Sequence, residues 1–405
     1  MSMAEPAAIT APTKPRLRNW IDALPASFRR VVVPFALSRL LVLVIFSATP
    51  LLQQSIATGD WGKNDRMSIR ISPDTIAAGF ARVAIANDAA FYYGIAKEGY
   101  EQRPFDTSRA ANWAFFPLHP LLWRAAAAVT GEWLWSGVLL ANLFAISGFC
   151  LLWSLAHRLT RSIHVADNAI LFASFWPSTY FMVLPHSESL FMFLATASLL
   201  AAFSNRIWTA SLFGAAAGAT RVNGLFLAPA IFVGQWFRGK RCPGDVAKLV
   251  PFAGGLAIFM AYLWIITGNP LAFKDIQSAW GRSFHAPWVA LLDYVNRPLK
   301  IAMPWNPRLI HFVTVLIAFA SAMTCWRRGW RELAVFTLLT ILAPLCTGTL
   351  MSMTRYIGVA PGIFIALAVW TEDRPRAGML WLAASAVTMA LLCVLFALPN
   401  DIGGA

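Results

Sequence analysis

The sequence predicts an all-α, polytopic transmembrane protein of about ten or eleven spans. Three observations predict it. Of 405 residues, 58% are hydrophobic and only 13% are charged, where a soluble domain carries about 25% charged residues. Mean hydropathy is +0.59. Long runs hold no charge at all, as from Ala377 to Pro399. Such runs cross bilayers as helices, because lipid offers no partner to unpaired backbone groups. A soluble globular domain is excluded.

In chain order the expected spans are 31–51, 132–156, 169–184, 188–203, 209–220, 223–236, 249–267, 306–325, 332–350, 356–371 and 377–397. Segments 209–220 and 223–236 are short and read as a hairpin bent at Thr220 to Gly224, with one tilted helix as the alternative. Residues 1–30 form a Pro-rich, basic N-terminal segment without a cleavable signal, 31–397 the membrane domain, and 398–405 a C-terminal tail. Two long loops, 52–112 and 268–305, interrupt the spans.

The net charge of +14 would point to nucleic acid in a soluble protein. Here the cations lie in short loops and report topology. Lys14, Arg16, Arg18, Arg29 and Arg30 place the N-terminus in the cytoplasm. Alternating crossings then put Arg158/Arg161, Arg206, Arg238/Lys240/Arg241/Lys248, Arg327/Arg328/Arg331 and Arg374/Arg376 on the same side. This requires segment 113–130, which carries Pro117, Pro120 and Arg124, to lie at the outer interface. If it crosses instead, the next loops flip. The first arrangement leaves loop 52–112, the turn 185–188, the bend at Arg221, loop 268–305 and the turn at Arg355 outside. The five cysteines show no metal-ligand or disulfide spacing.

The polar residues with chemical potential gather on that outer face. Asn87-Asp88 heads an aromatic stretch running through Phe91, Tyr92 and Tyr93 to Lys97 and Gly99-Tyr100. Trp113 and Phe115-Phe116-Pro117-Leu118-His119 follow. The plainer reading of those aromatics is an interfacial belt. His186-Ser187-Glu188 opens a span, where a carboxylate also suits the helix dipole. Arg221 and Asn223 sit between two apolar segments, and an intramembrane Arg usually has an anionic partner. Gly268-Asn269-Pro270 leads to Gln277, Trp280, Arg282 and His285, which alone read as a solvated loop. Arg355-Tyr356 opens another span, where a snorkelling anchor is the simpler account.

In this order and spacing, Asp88 with Gly99-Tyr100, Phe115 to Leu118, Ser187-Glu188-Ser189, Thr220-Arg221 with Gly224, Gly268 to Trp280, and Arg355-Tyr356 resemble the GPI mannosyltransferase 2 family and its bacterial relatives. These are GT-C glycosyltransferases. The resemblance covers roughly residues 80 to 360. It implies a polytopic helical mannosyltransferase of the bacterial inner membrane, using a polyprenyl-phosphate-linked donor at the outer face. It also implies a catalytic base at Asp88 and a second acidic residue at Glu188. Two departures border these positions. Asn87 stands where the family shows Trp, and His186 where it shows Tyr.

A consistent mechanism follows. Asp88 removes a proton from the acceptor hydroxyl during attack on the anomeric carbon. The leaving phosphate already carries charge and needs cations rather than an acid. Arg221, Arg282 and Arg355 are the candidates, with His285 and Lys97 behind them. Glu188 orients the acceptor or holds one of these arginines. Asn87, His186, Asn223, Gln277, Trp280 and Tyr356 complete the substrate-binding set. Displacement by a lone base predicts inversion. No cofactor is expected, and without an acidic pair of the DxD kind a nucleotide-sugar donor is disfavoured. A divalent metal shared by Asp88 and Glu188 stays open. Expected partners are the polyprenyl-phosphate sugar, a lipid-linked or glycan acceptor and membrane lipids, not nucleic acid. The rival reading is a transporter or flippase of lipid-linked sugars, which would commonly show repeat symmetry.

Overall fold

A computed structural model describes residues 24–57, 73–240, 242–301 and 307–398. Most of the N-terminal segment 1–30, part of loop 52–112 and nearly all of the tail 398–405 lie outside the described residues. All regular structure among the described residues is helical, as the composition requires.

Among the described residues, five helices or helix pairs are long and apolar enough to cross a membrane. They are α1 (Ala26–Ala57, of which Ala26–Thr49 qualifies), α5 (Trp133–Thr160), the pair α10 (Pro243–Ala247) and α11 (Gly254–Thr267), α14 (Arg308–Arg327), and α18 (Pro375–Ala397). Their outward faces carry bare aliphatic side chains: Leu37 and Leu40 on α1, Ile258 and Ile265 on α11, Leu316 on α14, Leu380 and Val387 on α18. In water such a surface would be a liability; against acyl chains it costs nothing.

Shorter elements fill the interior. Helix α2 (Pro73–Ala84) packs on α1; α3 (Asp88–Lys97) and α4 (Leu118–Thr130) pair with each other; α6 (Ile163–Ser174) follows α5. Helices α7 (Glu188–Phe203) and α17 (Pro361–Thr371) are buried almost all round, which is the pattern of a core helix rather than a surface one. Phe191, Phe336, Phe364, Phe172 and Trp176 form the main core around them. Helices α8 (Ile207–Gly218) and α9 (Leu227–Phe237) are the two arms of the expected hairpin, joined through a 3₁₀ turn at Val222–Phe226. Gly224 permits the bend, because a Cβ there would lie 2.2 Å from the Gly218 nitrogen. Gly255 of α11 likewise admits the Ala215 carbonyl of α8, which a Cβ would meet at 1.9 Å. Small residues at close helix crossings are the usual means of packing in lipid.

Two expected spans differ from what folds. Segment 169–184 is not one helix. α6 ends at Ser174, and Trp176-Pro177 leads into a fully buried irregular stretch with a 3₁₀ turn at Thr179–Met182. Pro177 lacks the N–H that would continue the helix. Segment 332–350 becomes α15 (Arg331–Leu345), which stops one residue after Pro344, and the turn α16 (Met353–Ile357) separates it from α17. Segment 113–130 supplies only α4, whose thirteen residues rise about 20 Å and do not span a bilayer alone. Between α11 and α14 the loop carries the short helix α12 (Ala272–Asp275), a 3₁₀ turn at Ile276–Trp280 and the helix α13 (Trp288–Asn296).

Candidate active site

Four separate elements end at one place. Asp88 is the first residue of α3 and Glu188 the first of α7. Each carboxylate therefore faces the positive end of its own helix. Arg221 follows the C-terminal end of α8, in extended backbone. Arg355 lies on the α16 turn.

Local chemistry fixes each one. Asn87, just before Asp88, has φ 55° and ψ −130°, a strained conformation that Asn tolerates better than most residues. The large aromatic expected there would be harder to hold. Arg124 of α4 donates to the Ile95 carbonyl (3.1 Å) and to that of Ala96 (2.5 Å), clamping the far end of α3. The Thr354 carbonyl accepts from Trp176 Nε1 (3.0 Å) and Ser178 Oγ (2.8 Å), and its N–H donates to His311 Nδ1 (3.3 Å). These three bonds set the neighbour of Arg355. The Trp176-Pro177-Ser178 break thus positions a cation found 177 residues further on (355 − 178).

The four charges form a ladder. Arg355 Nη1 pairs with Asp88 Oδ2, and its Nε pairs with Glu188 Oε1. Arg221 Nη1 lies 2.5 Å from the same Glu188 oxygen and 3.2 Å from Ser187 Oγ. Tyr92 OH hydrogen-bonds Ser187 Oγ at 2.8 Å. The Arg355 guanidinium sits 4.3 Å from the Phe181 ring centroid, and that of Arg221 5.6 Å from Tyr356. Side-chain exposure separates the two carboxylates: 39% for Asp88 and 1% for Glu188. Glu188 is an internal anchor for two cations. Asp88 is the more open of the two.

Burial pushes the Asp88 carboxyl up, but the Arg355 charge outweighs it, so the group sits below the ordinary carboxylate range. His186 is fully buried, with neither ring nitrogen bonded among the described residues. Burial, then Arg355, lowers its pKa to about 3. His119 Nε2 donates to the Pro185 carbonyl (3.1 Å), and burial lowers its pKa to about 4. Both rings are neutral at physiological pH and leave the ladder's charges to one another.

The remaining expected residues are spread along the surround. Tyr356 lies against Arg221, and Asn223 is buried on the adjoining 3₁₀ turn. Trp280 meets Phe91 of α3 edge-on at 6.0 Å, and so ties loop 268–305 to the site. Arg282 donates to Gln277 Oε1 at 2.7 Å, and His285 bonds Ser283 Oγ at 2.8 Å. Lys97 lies at the opposite end of α3 from Asp88, about 14 Å along the axis, with its ammonium 5.7 Å from the Tyr93 ring. Arg282, His285 and Lys97 thus take local partners, whereas Arg221 and Arg355 converge. Among the described residues no three His, Cys, Asp or Glu side chains come together as metal ligands, and a guanidinium lies between Asp88 and Glu188. Tyr92, Ser187, Ser178 and Phe181 were not expected as site residues. Tyr92 had a signal in its place one turn after Asp88, on the same helix face.

The all-helical body brings one partly open carboxylate, one buried carboxylate and two arginines together, an arrangement that can hold an anionic group. A family model described as alpha-(1->6)-mannopyranosyltransferase, N-terminal domain, matches residues 99–238, about a third of the chain, including Glu188 and Arg221. This match supports a membrane glycosyltransferase. The match agrees with the coarser part of the resemblance drawn from the motifs, a mannosyltransferase-type enzyme, and does not single out GPI mannosyltransferase 2. A search of curated proteins finds no match. Among solved structures, the Archaeoglobus fulgidus oligosaccharyltransferase with Zn and sulfate aligns at 13% identity and TM-score 0.46, over 89% of this chain and 54% of that one. Its apo form aligns at 12% and 0.48, over 90% and 57%. The archaeal oligosaccharyltransferase AglB from the same organism, in complex with an inhibitory peptide and a dolichol-phosphate, aligns at 12% and 0.47, over 90% and 56%. The chain spans little more than half the length of these proteins.

Proposed function

We propose that residues 31–397 form the catalytic body of an inverting glycosyltransferase. It moves a mannosyl or related hexosyl residue from a polyprenyl-phosphate donor to a lipid-linked or envelope glycan acceptor. The observation that carries this is the junction of Asp88, open to substrate, with Arg355, Glu188 and Arg221. The acceptor oxygen attacks the anomeric carbon and its proton passes to Asp88. The bond from that carbon to the phosphate oxygen breaks on the opposite side, and the guanidiniums of Arg221 and Arg355 receive the charge that develops. Incubating the purified protein with polyprenyl-phosphate-mannose and an envelope glycolipid fraction should release polyprenyl phosphate. No release with any acceptor fraction would remove the donor assignment.

Arg221→Ala should raise the donor KM by about 10- to 100-fold, the range for a hydrogen bond to a charged group. An equal or larger effect on the acceptor KM would contradict the phosphate assignment. The transporter reading is less well supported, because the ladder lies at one end of α7 and α8 and the reactive carboxylate opens there alone.

We further propose that this end faces the outside of a bacterial inner membrane, following the distribution of Lys and Arg. Native Cys242, which is exposed, follows α9 at the end away from Arg221. A cysteine placed at 88 or 280 should react with an impermeant maleimide from the outer side, and Cys242 only from the cytoplasmic side. The reverse pattern would overturn the orientation.

A further inference from the structure

We infer that Arg355 is a travelling counter-ion, passing from Asp88 to the leaving phosphate as Asp88 takes up the acceptor's proton. This rests on the reading of Asp88 as base and goes beyond it, because it makes one guanidinium the link between the two halves of the reaction.

The geometry provides a fixed pivot. Arg355 Nε is bonded to Glu188, and its Nη1 to Asp88. Glu188 cannot move away: its side chain is 1% exposed and its bonding oxygen is also held by Arg221. The Phe181 ring under Arg355 keeps the guanidinium in plane. The Nη side, by contrast, meets a carboxylate that is 39% open. One edge of Arg355 is therefore anchored, and the other faces the site where substrate arrives. A planar fork with separate donors on two edges can hold one partner while changing the other.

Charge balance gives the direction. In the resting site two carboxylates face two guanidiniums, and the neutral His186, His119, Tyr92 and Tyr356 add nothing. A phosphodiester donor brings one negative charge. During transfer the new bond forms between the acceptor oxygen and the anomeric carbon, and the bond to the phosphate oxygen takes its electron pair to the phosphate. The proton moves to Asp88. One unit of negative charge has then shifted from Asp88 to the phosphate, and the total is unchanged. As Asp88 becomes neutral it loses its hold on Arg355 at the moment the phosphate needs a donor. Before donor arrives, the same bond keeps Asp88 occupied.

The test is the affinity for the product, polyprenyl phosphate, at pH 8, where a phosphate monoester is dianionic. Asp88→Asn mimics the protonated base. It should bind a short-chain polyprenyl phosphate at least about tenfold tighter than the unaltered protein, the factor of one charge-assisted hydrogen bond, while turnover is lost. The gain should vanish when Asp88→Asn is combined with Arg355→Gln or Arg355→Lys, since a point charge cannot serve two partners on separate edges. Glu188 keeps Arg221 in both backgrounds, and thermal melts check their folding. Unchanged or weaker binding by Asp88→Asn overturns the counter-ion transfer and leaves the base in place. So does an equal gain with Arg355 replaced, which would mean simple loss of repulsion. Turnover by Asp88→Asn would instead end the base reading itself.

Discussion

Asp88→Asn should lower the rate of the proposed sugar transfer by about 10²- to 10⁴-fold, the range that a positioned general base contributes. The amide is the same size, so the start of α3 persists, and Arg355 stays anchored to Glu188 through Nε. What it cannot do is accept a proton. Initial rates measured with saturating donor, alongside an unchanged melting profile, check the expectation. Turnover within a few-fold of the unaltered protein would take the proton-accepting role away from Asp88. The expectation depends on accessibility as much as on charge. Of the two carboxylates in the ladder, only Asp88 has its side chain partly open.

Glu188→Ala has the opposite signature, a loss of the folded protein itself. Its carboxylate is buried and serves Arg221 and Arg355 together. Removing one member of a buried ion network leaves the others uncompensated, at a cost of about 3–5 kcal/mol. Here two guanidiniums would be stranded at the head of a core helix. Thermal unfolding in detergent, or yield of inserted protein, should fall sharply. Glu188→Gln should lie between, because it retains an acceptor and loses the charge. A Glu188→Ala protein that melts like the original would show that the arginines find other partners and that the ladder is not what holds α7, α16 and the α8–α9 bend together.

The membrane body was legible from hydropathy, since bilayer thickness dictates the length of an uncharged run. Glu188, Arg221 and Arg355 were legible as polar residues at span ends and Asp88 as a carboxylate of the first long loop, and the structure joins all four. Two things were not. The break at Trp176-Pro177 lies inside a run that remains apolar to Leu184, and hydropathy is the same for a buried helix and a buried irregular stretch; Pro177 was the one mark. The division between convergent and peripheral cations was also hidden. Arg282 and Lys97 have local partners within five residues, Gln277 and Tyr93, whereas Arg355 meets an acid 267 residues away. Sequence distance carries no record of that pairing. The distinct roles of Asp88 and Glu188 depend on burial alone, which only packing decides.

The two helices buried almost all round have a consequence for the host membrane. Glu188 heads α7, and Arg355 directly precedes α17. Neither helix presents a broad face to acyl chains, so a thinner or thicker bilayer will tilt the peripheral spans before it strains the reacting groups. Reconstitution into nanodiscs of fourteen- and eighteen-carbon lipids should leave single-turnover rates within a few-fold of each other. A steep dependence on chain length would show that the catalytic frame is carried by the outer ring instead.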